Sequence, residues 1–155
     1  MPRENLYLEE IIKNLPRILS LIDNDKTSRG YGLGDRYYWA WGLTDFGNGT
    51  YQGIANGLSH LWVSGLWPFQ SSFNTFAERI NSLFLGAKKL TRKDGSLEEA
   101  FPNEGSYCVT ALVAFDLLVT IDLLDQLIDQ KKKQEWISIV QPLVQFLIKK
   151  MNHML

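Results

Sequence analysis

Apolar residues recur every three or four positions along most of the chain, the period of helices with one buried face. Residues 4–23 place Leu8, Ile11, Ile12, Leu15, Leu19 and Ile22 on one stripe. Pro16 falls inside that stripe and predicts a kink or a restart, because proline removes a hydrogen bond and crowds the preceding turn. A short helix is expected over 36–42. A longer one is expected from 48 or 49 to about 64, carried by Tyr51, Ile54, Ala55, Leu58, Leu61 and Trp62. Gly53 and Gly57 lie four apart within it. Two helix-interior glycines at that spacing predict a neighbouring helix packed close to their face. Residues 73–91 carry the clearest stripe: Phe73, Phe76, Ile80, Leu83, Phe84, Ala87 and Leu90. A nearly continuous apolar helix is expected over 104–129. The last helix, 132–153, should be kinked or divided near Pro142. No useful run alternates with period two, so the expected class is all-α.

The order of these elements adds an architecture. Amphipathic helices alternate with more apolar ones, the pattern of stacked antiparallel helical hairpins whose outer helices keep a wet face and whose inner helices are surrounded. The chain then reads as a single helical domain over 1–155, with about three hairpins. An inner ring of helices leaves a cavity at one end. The loops at 45–48 and 94–104 both precede an inner helix and would line its rim.

Composition narrows the function. Sixteen basic and seventeen acidic residues give a net charge of -1, which excludes nucleic-acid binding through a bulk basic surface. A single cysteine, Cys108, excludes a disulfide framework and fits a reducing compartment. It opens an apolar helix with no basic neighbour in sequence, so a buried, inert thiol is expected. The first ten residues mix charged and apolar groups and lack the apolar core of a signal peptide. The segment 107–128 is apolar enough to raise the question of a membrane span. Asp116, Asp122 and Asp125 interrupt it, and a mid-bilayer carboxylate costs roughly 3 kcal/mol. A core helix of a cytoplasmic protein, with no membrane partner, is the reading carried forward.

Two stretches bear a more specific pattern. In "RKDGSLEEAFPNEGSYCVTALVAFDLL" the residues are Asp94, Gly95, Ser96, Glu99, Ala100, Pro102, Asn103, Glu104 and Ser106. In "DRYYWAWGLTDFGNGTYQGIANGLSHLW" they are Asp35, Arg36, Tyr38, Trp39, Trp41, Asp45, Phe46, Thr50, Tyr51 and Gln52. Together these stretches resemble the N-terminal part of bacterial α/α-toroid proteins, of the heparinase II/III-like or terpenoid-cyclase-like kind associated with polysaccharide loci. The resemblance covers about a third of the chain. It implies a partial (α/α) toroid, and it speaks to fold more firmly than to activity, since toroids host lyases, hydrolases, cyclases and non-catalytic modules. A closed toroid needs roughly twice as many hairpins. Completion would come from a missing C-terminal half or from a second copy in a homodimer.

The candidate chemistry follows. Glu99 and Glu104 flank Pro102, which could hold two carboxylates at a fixed separation for general acid–base work. Asp45 and Tyr51 would join them at the rim as the catalytic set. Arg36 could grip a carboxylate or sulfate in bidentate fashion. Tyr38, Trp39 and Trp41 could stack on a sugar ring, and Asp94 would complete a ligand-binding set. The bland reading stands beside each of these. Asp94-Gly95-Ser96 is a good turn, Glu104 favours a helix start, and most rings will be core. His60 reads as structural, and His60 and His153 with one cysteine give no metal-ligand spacing, so neither metal nor cofactor is expected. Two functions compete. One is a polysaccharide-related toroid domain that binds an acidic oligosaccharide, or supplies half of such a site. The other is a non-catalytic helical scaffold for protein association or oligomerisation. Half a ring supplies half a cavity wall, so the motifs assign no reaction to this chain alone.

Overall fold

The computed structural model describes residues 6–34, 47–99 and 103–152. Five α-helices account for most of them: α1 Leu6–Ser20, α2 Ile54–Val63, α3 Phe73–Leu90, α4 Tyr107–Leu124 and α5 Gln130–Asn152. A 3-10 turn, Gly49–Gly53, leads into α2. The all-α class holds. One element had no signal in the apolar pattern: two antiparallel strands of two residues, β1 Leu97–Glu98 and β2 Gly105–Ser106, pair between α3 and α4. The helix expected over 36–42 lies outside the described residues.

Side-chain caps set where the helices begin. Ser72 Oγ accepts from the Thr75 N–H at the head of α3, and Ser106 Oγ from the Val109 N–H at the head of α4. Asp129 Oδ1 accepts from the Lys132 N–H at 2.7 Å. That cap starts α5 at Gln130, two positions ahead of the apolar pattern, and draws the lysine run into the first turn. There Lys132 pairs with Glu135 and Lys133 with Asp125, so the run is helical and held by local ion pairs. α1 and α5 continue through Pro16 and Pro142. Each proline removes one hydrogen bond. The buried neighbours Leu15 and Leu19, and Leu143 and Phe146, hold the flanking turns in place.

The core is one cluster drawn mostly from α3, α4 and α5, which Leu15 and Leu19 of α1, Leu33 of the following loop, and Ala55 and Leu58 of α2 complete. Trp136 is fully buried and stacks on Phe84 at 4.4 Å and 7°, and its indole N–H donates to Asn81 Oδ1 at 2.9 Å. A second aromatic cluster joins α2 to α3, where Trp62 stacks on Phe76 at 4.5 Å and Trp67 meets Phe76 edge-on.

The link between the two clusters is polar. Gln52, fully buried in the 3-10 turn, donates to the Gly32 carbonyl at 2.9 Å and the Leu83 carbonyl at 2.8 Å, and accepts from the Gly34 N–H at 3.0 Å. One amide therefore ties three segments: the loop after α1, the entry to α2, and the middle of α3. The loop fits only because it is glycine. Gly32 sits at φ +83°, and a Cβ there would lie 1.9 Å from the Ser82 carbonyl oxygen. Gly86 faces the same amide, and a Cβ there would lie 2.3 Å from Gln52 Nε2.

The expected close approach at Gly53 and Gly57 is half present. A Cβ at Gly53 would meet Asp116 Oδ2 of α4 at 2.4 Å, whereas Gly57 faces open space. Replacing Gln52 with leucine leaves two carbonyls and one N–H buried without this partner. The expected loss is about 3 kcal/mol of unfolding free energy, measurable by urea denaturation with an unchanged m-value.

Candidate functional site

The region that carries both the acidic motif and the most apolar helix is the β1–β2 hairpin with α4 growing out of it. The hairpin forms because its polar groups are used locally. Asp94 Oδ1 accepts from the Ser96 N–H at 3.0 Å and the Ser96 hydroxyl at 2.7 Å, an Asx turn. Gly95 follows at φ +89°, where a Cβ would meet the Pro142 carbonyl oxygen at 2.5 Å. The turn thus sits tight against α5. Glu98 Oε1 accepts from the Asn103 N–H at 2.9 Å, and Asn103 itself is at φ +68°. The Arg92 guanidinium donates to the Asn103 carbonyl. The Leu97 N–H donates to Thr110 Oγ1 at 2.8 Å, which docks the buried Leu97 on the first turn of α4.

The register pairs Leu97 with Ser106 and Glu98 with Gly105. Continued by one residue it sets Glu99 opposite Glu104, and the Glu99 N–H donates to the Glu104 carbonyl at 3.1 Å. The two carboxylates expected to flank Pro102 are therefore cross-strand neighbours. Pro102 itself lies outside the described residues. Like charges directly opposite destabilise a strand pair. The Glu99 carbonyl accepts from the Gly49 N–H at 2.7 Å, so the hairpin also supports the turn that carries Gln52.

The remaining expected site residues divide in two. Tyr51 is partly buried, and its hydroxyl donates to the Ile18 carbonyl at 2.5 Å. That bond pins the C-terminal turn of α1. Asp45, Arg36, Tyr38, Trp39 and Trp41 lie outside the described residues. Of the tryptophans between 39 and 67, Trp62 and Trp67 belong to the aromatic cluster with Phe69, Phe73 and Phe76. His60 is exposed on α2. Among the described residues no group of three His, Cys, Asp or Glu side chains could hold a metal.

α4 departs most from expectation. It has the length and mean hydropathy (2.0) of a membrane span, yet 44% of its residues are buried. It packs mainly on α5 and α2, where Asn56 Nδ2 donates to Asp116 Oδ1 at 2.8 Å. Its other side is open. Leu112, Phe115 and Leu118 are 50%, 62% and 44% exposed, with Cys108 exposed at one end and Asp122 at the other. The helix was expected to be surrounded and Cys108 buried. Both expectations are corrected by this face: the neighbours that would enclose it are not among the described elements of one chain. No sequence feature distinguished it, because α4 is apolar all round.

Comparison with family models, with curated proteins and with solved structures finds no match to this chain.

Two outcomes follow for the hairpin. Glu104→Lys turns a like-charge pair into an opposite-charge pair and should raise stability by about 0.5 kcal/mol, read from the denaturation midpoint. The Asp94 carboxyl is held below its ordinary range by the Ser96 hydroxyl and backbone N–H, with a smaller pull from Arg92. A carboxylate depressed in the folded state stabilises it above the unfolded pKa, and that stabilisation is lost as pH falls through the folded value. Asp94→Ala should therefore lower Tm at pH 7, and the gap to the parent protein should close below about pH 4.

Proposed function

We propose that this chain is a non-catalytic helical scaffold that associates through the open face of α4, with a second copy of itself as the partner. One observation carries the reading. Five of the six exposed positions on α4, Cys108, Leu112, Phe115, Leu118 and Asp122, are spaced four, three, three and four apart, so that stripe reads the same in both directions about Phe115; the sixth, Tyr107, lies beside Phe146 of α5. A two-fold axis through Phe115 pairs such a stripe with itself: Leu112 against the partner copy's Leu118, Phe115 against its equivalent. Isologous interfaces need that self-complementarity. The charges agree with the antiparallel sense. The first turn of α4 holds no acidic residue, and its positive dipole end would lie beside the other copy's Asp122.

The toroid belongs to the same proposal. Two copies of a partial α/α toroid would complete a ring, with the hairpins at its rim. A second reading keeps the resemblance to polysaccharide-related toroids. There the Glu99 and Glu104 pair would serve general acid–base chemistry on an acidic oligosaccharide held by Arg36. The cross-strand placement of those two carboxylates favours it.

Light scattering over a concentration series tests the scaffold reading first. A dimer is expected, converted by Phe115→Asp to a monomer with an unchanged helical spectrum. Register is tested with a short bismaleimide. The parent protein should not cross-link, because the two Cys108 residues would lie about 21 Å apart along antiparallel helices. Asp122→Cys should cross-link, because Cys108 would then face the new thiol. A monomer throughout, or a monomer that binds lipid vesicles through α4, overturns the proposal.

A further inference from the structure

Away from α4, one half-buried cation has no counter-charge among the described residues. Arg79 of α3 is half-buried, and its guanidinium meets no carboxylate and no other acceptor among the described residues. Its backbone carbonyl accepts from the Ser82 hydroxyl at 2.7 Å, which leaves the guanidinium unengaged. The acid that lines the same cleft, Glu78, is paired with Lys26 at 3.2 Å. Burial alone acts on the guanidinium and lowers its pKa, with no opposing charge to restore it. Partly desolvating a cation without pairing it is unfavourable.

The side chain stands between two cavities. On one side a polar cleft of about 180 Å³ is lined by Asn24, Lys26, Tyr31, Thr75 and Glu78, whose carboxylate is already paired with Lys26. On the other an apolar pocket of about 240 Å³ is lined by Leu19, Trp67, Phe69 and Phe76. Arg79 and Thr75 line both. A fork of N–H donors at the junction of a wet cleft and an aromatic pocket is matched by an amphiphilic anion. Its carboxylate would take the guanidinium in a charge-assisted, bidentate bond, and its ring or short chain would lie against Trp67 and Phe76. We infer that Arg79 is the anchor of a binding site for a small organic carboxylate with an apolar body, seated between α3, the Asn24–Tyr31 loop and the Trp67–Phe69 segment.

This site owes nothing to the α4 face, so dimerisation and ligand binding fail separately. The probe is 3-phenylpropanoate, with inorganic phosphate and glucuronate as the contrasting anions. The Trp67 indole N–H donates to Ser71 Oγ at 3.0 Å, and its amide-type NMR signal reports on the apolar pocket. Its assignment comes from Trp67→Phe. Titration with 3-phenylpropanoate should move that signal and saturate. Arg79→Met, which keeps the apolar stem, should weaken binding about tenfold or more while leaving Tm unchanged or raised, because an unpaired, partly buried charge has been removed. Arg79→Lys should retain weakened binding. The inference is overturned if Arg79→Met binds as tightly as the parent, if it lowers Tm (a structural role for the guanidinium), or if phosphate or glucuronate moves the Trp67 signal as effectively as the probe.

Discussion

The buried amide of Gln52 is the constraint on which the arrangement of helices rests. A helical domain of this size can bury apolar stripes in many relative orientations, and hydrophobic contact is not directional. Hydrogen bonds are. By reaching the Gly32 and Leu83 carbonyls and the Gly34 N–H at once, Gln52 admits one placement of α1 and its loop relative to α3. The glycines at 32 and 86 belong to the same device, since a methyl group at either would displace the amide or the α3 backbone. Tyr51, one residue before it, fixes the end of α1 through the Ile18 carbonyl. Two adjacent side chains in a five-residue turn thus orient the amino-terminal third of the described fold. A buried polar group is costly when unpaired and selective when fully paired, and Gln52 is fully paired.

The hairpin extends that logic to the carboxyl-terminal side. Its Glu99 carbonyl accepts from Gly49, three residues before Gln52, and its Leu97 N–H reaches Thr110 in α4. The acidic segment is therefore a joint between the Gln52 turn and the most apolar helix. Asp94 and Glu98 serve as acceptors for backbone N–H groups that a tight connection leaves without partners. Glu99 and Glu104 do no such service with their carboxylates. They face each other across the strand pair, against the preference of the hairpin itself. That contrast separates the acids that build the joint from the pair whose carboxylates take no part in it.

The helices were legible because their signal is repeated. Leu83, Phe84, Ala87 and Leu90 restate the same face of α3 within two turns, and the structure places that helix within one residue of the pattern. The hairpin was not legible because two-residue strands cannot show alternation; its marker was the Asx turn at Asp94, which reads equally well as a plain loop. Gln52 was visible as a motif residue, yet a lone glutamine carries no sign that it will be buried, since its partners are backbone groups any sequence supplies. Cys108 and the open side of α4 were misjudged for a related reason. A helix that is apolar all round has no periodicity to say which side meets the protein. Only the positions of α2 and α5 decide that, and these depend on contacts distant in sequence. Of the expected site residues, the Glu99–Glu104 pair was brought together by strand register, which the turn chemistry around Pro102 hinted at and the apolar pattern did not contain.

Two features of the finished structure run against its own stability, and they do so by different physics. The α4 face leaves Leu112, Phe115 and Leu118 in water, an unfavourable hydration that any apolar cover relieves, provided its shape allows. Arg79 leaves a cation half desolvated, an unfavourable state that only an anion relieves, and only one placed on the fork of its donors. Either could be relieved by substitution toward more ordinary residues, serines at Leu112, Phe115 and Leu118 or methionine at Arg79, without disturbing the Gln52 joint that holds the fold. Their chemistry also keeps them apart: a cover for the α4 face needs area and no charge, whereas a ligand for Arg79 needs one charge and little area. On the two proposals the partners differ accordingly, a broad apolar one for the α4 face and a small anionic one for Arg79, and neither demand is met by the other.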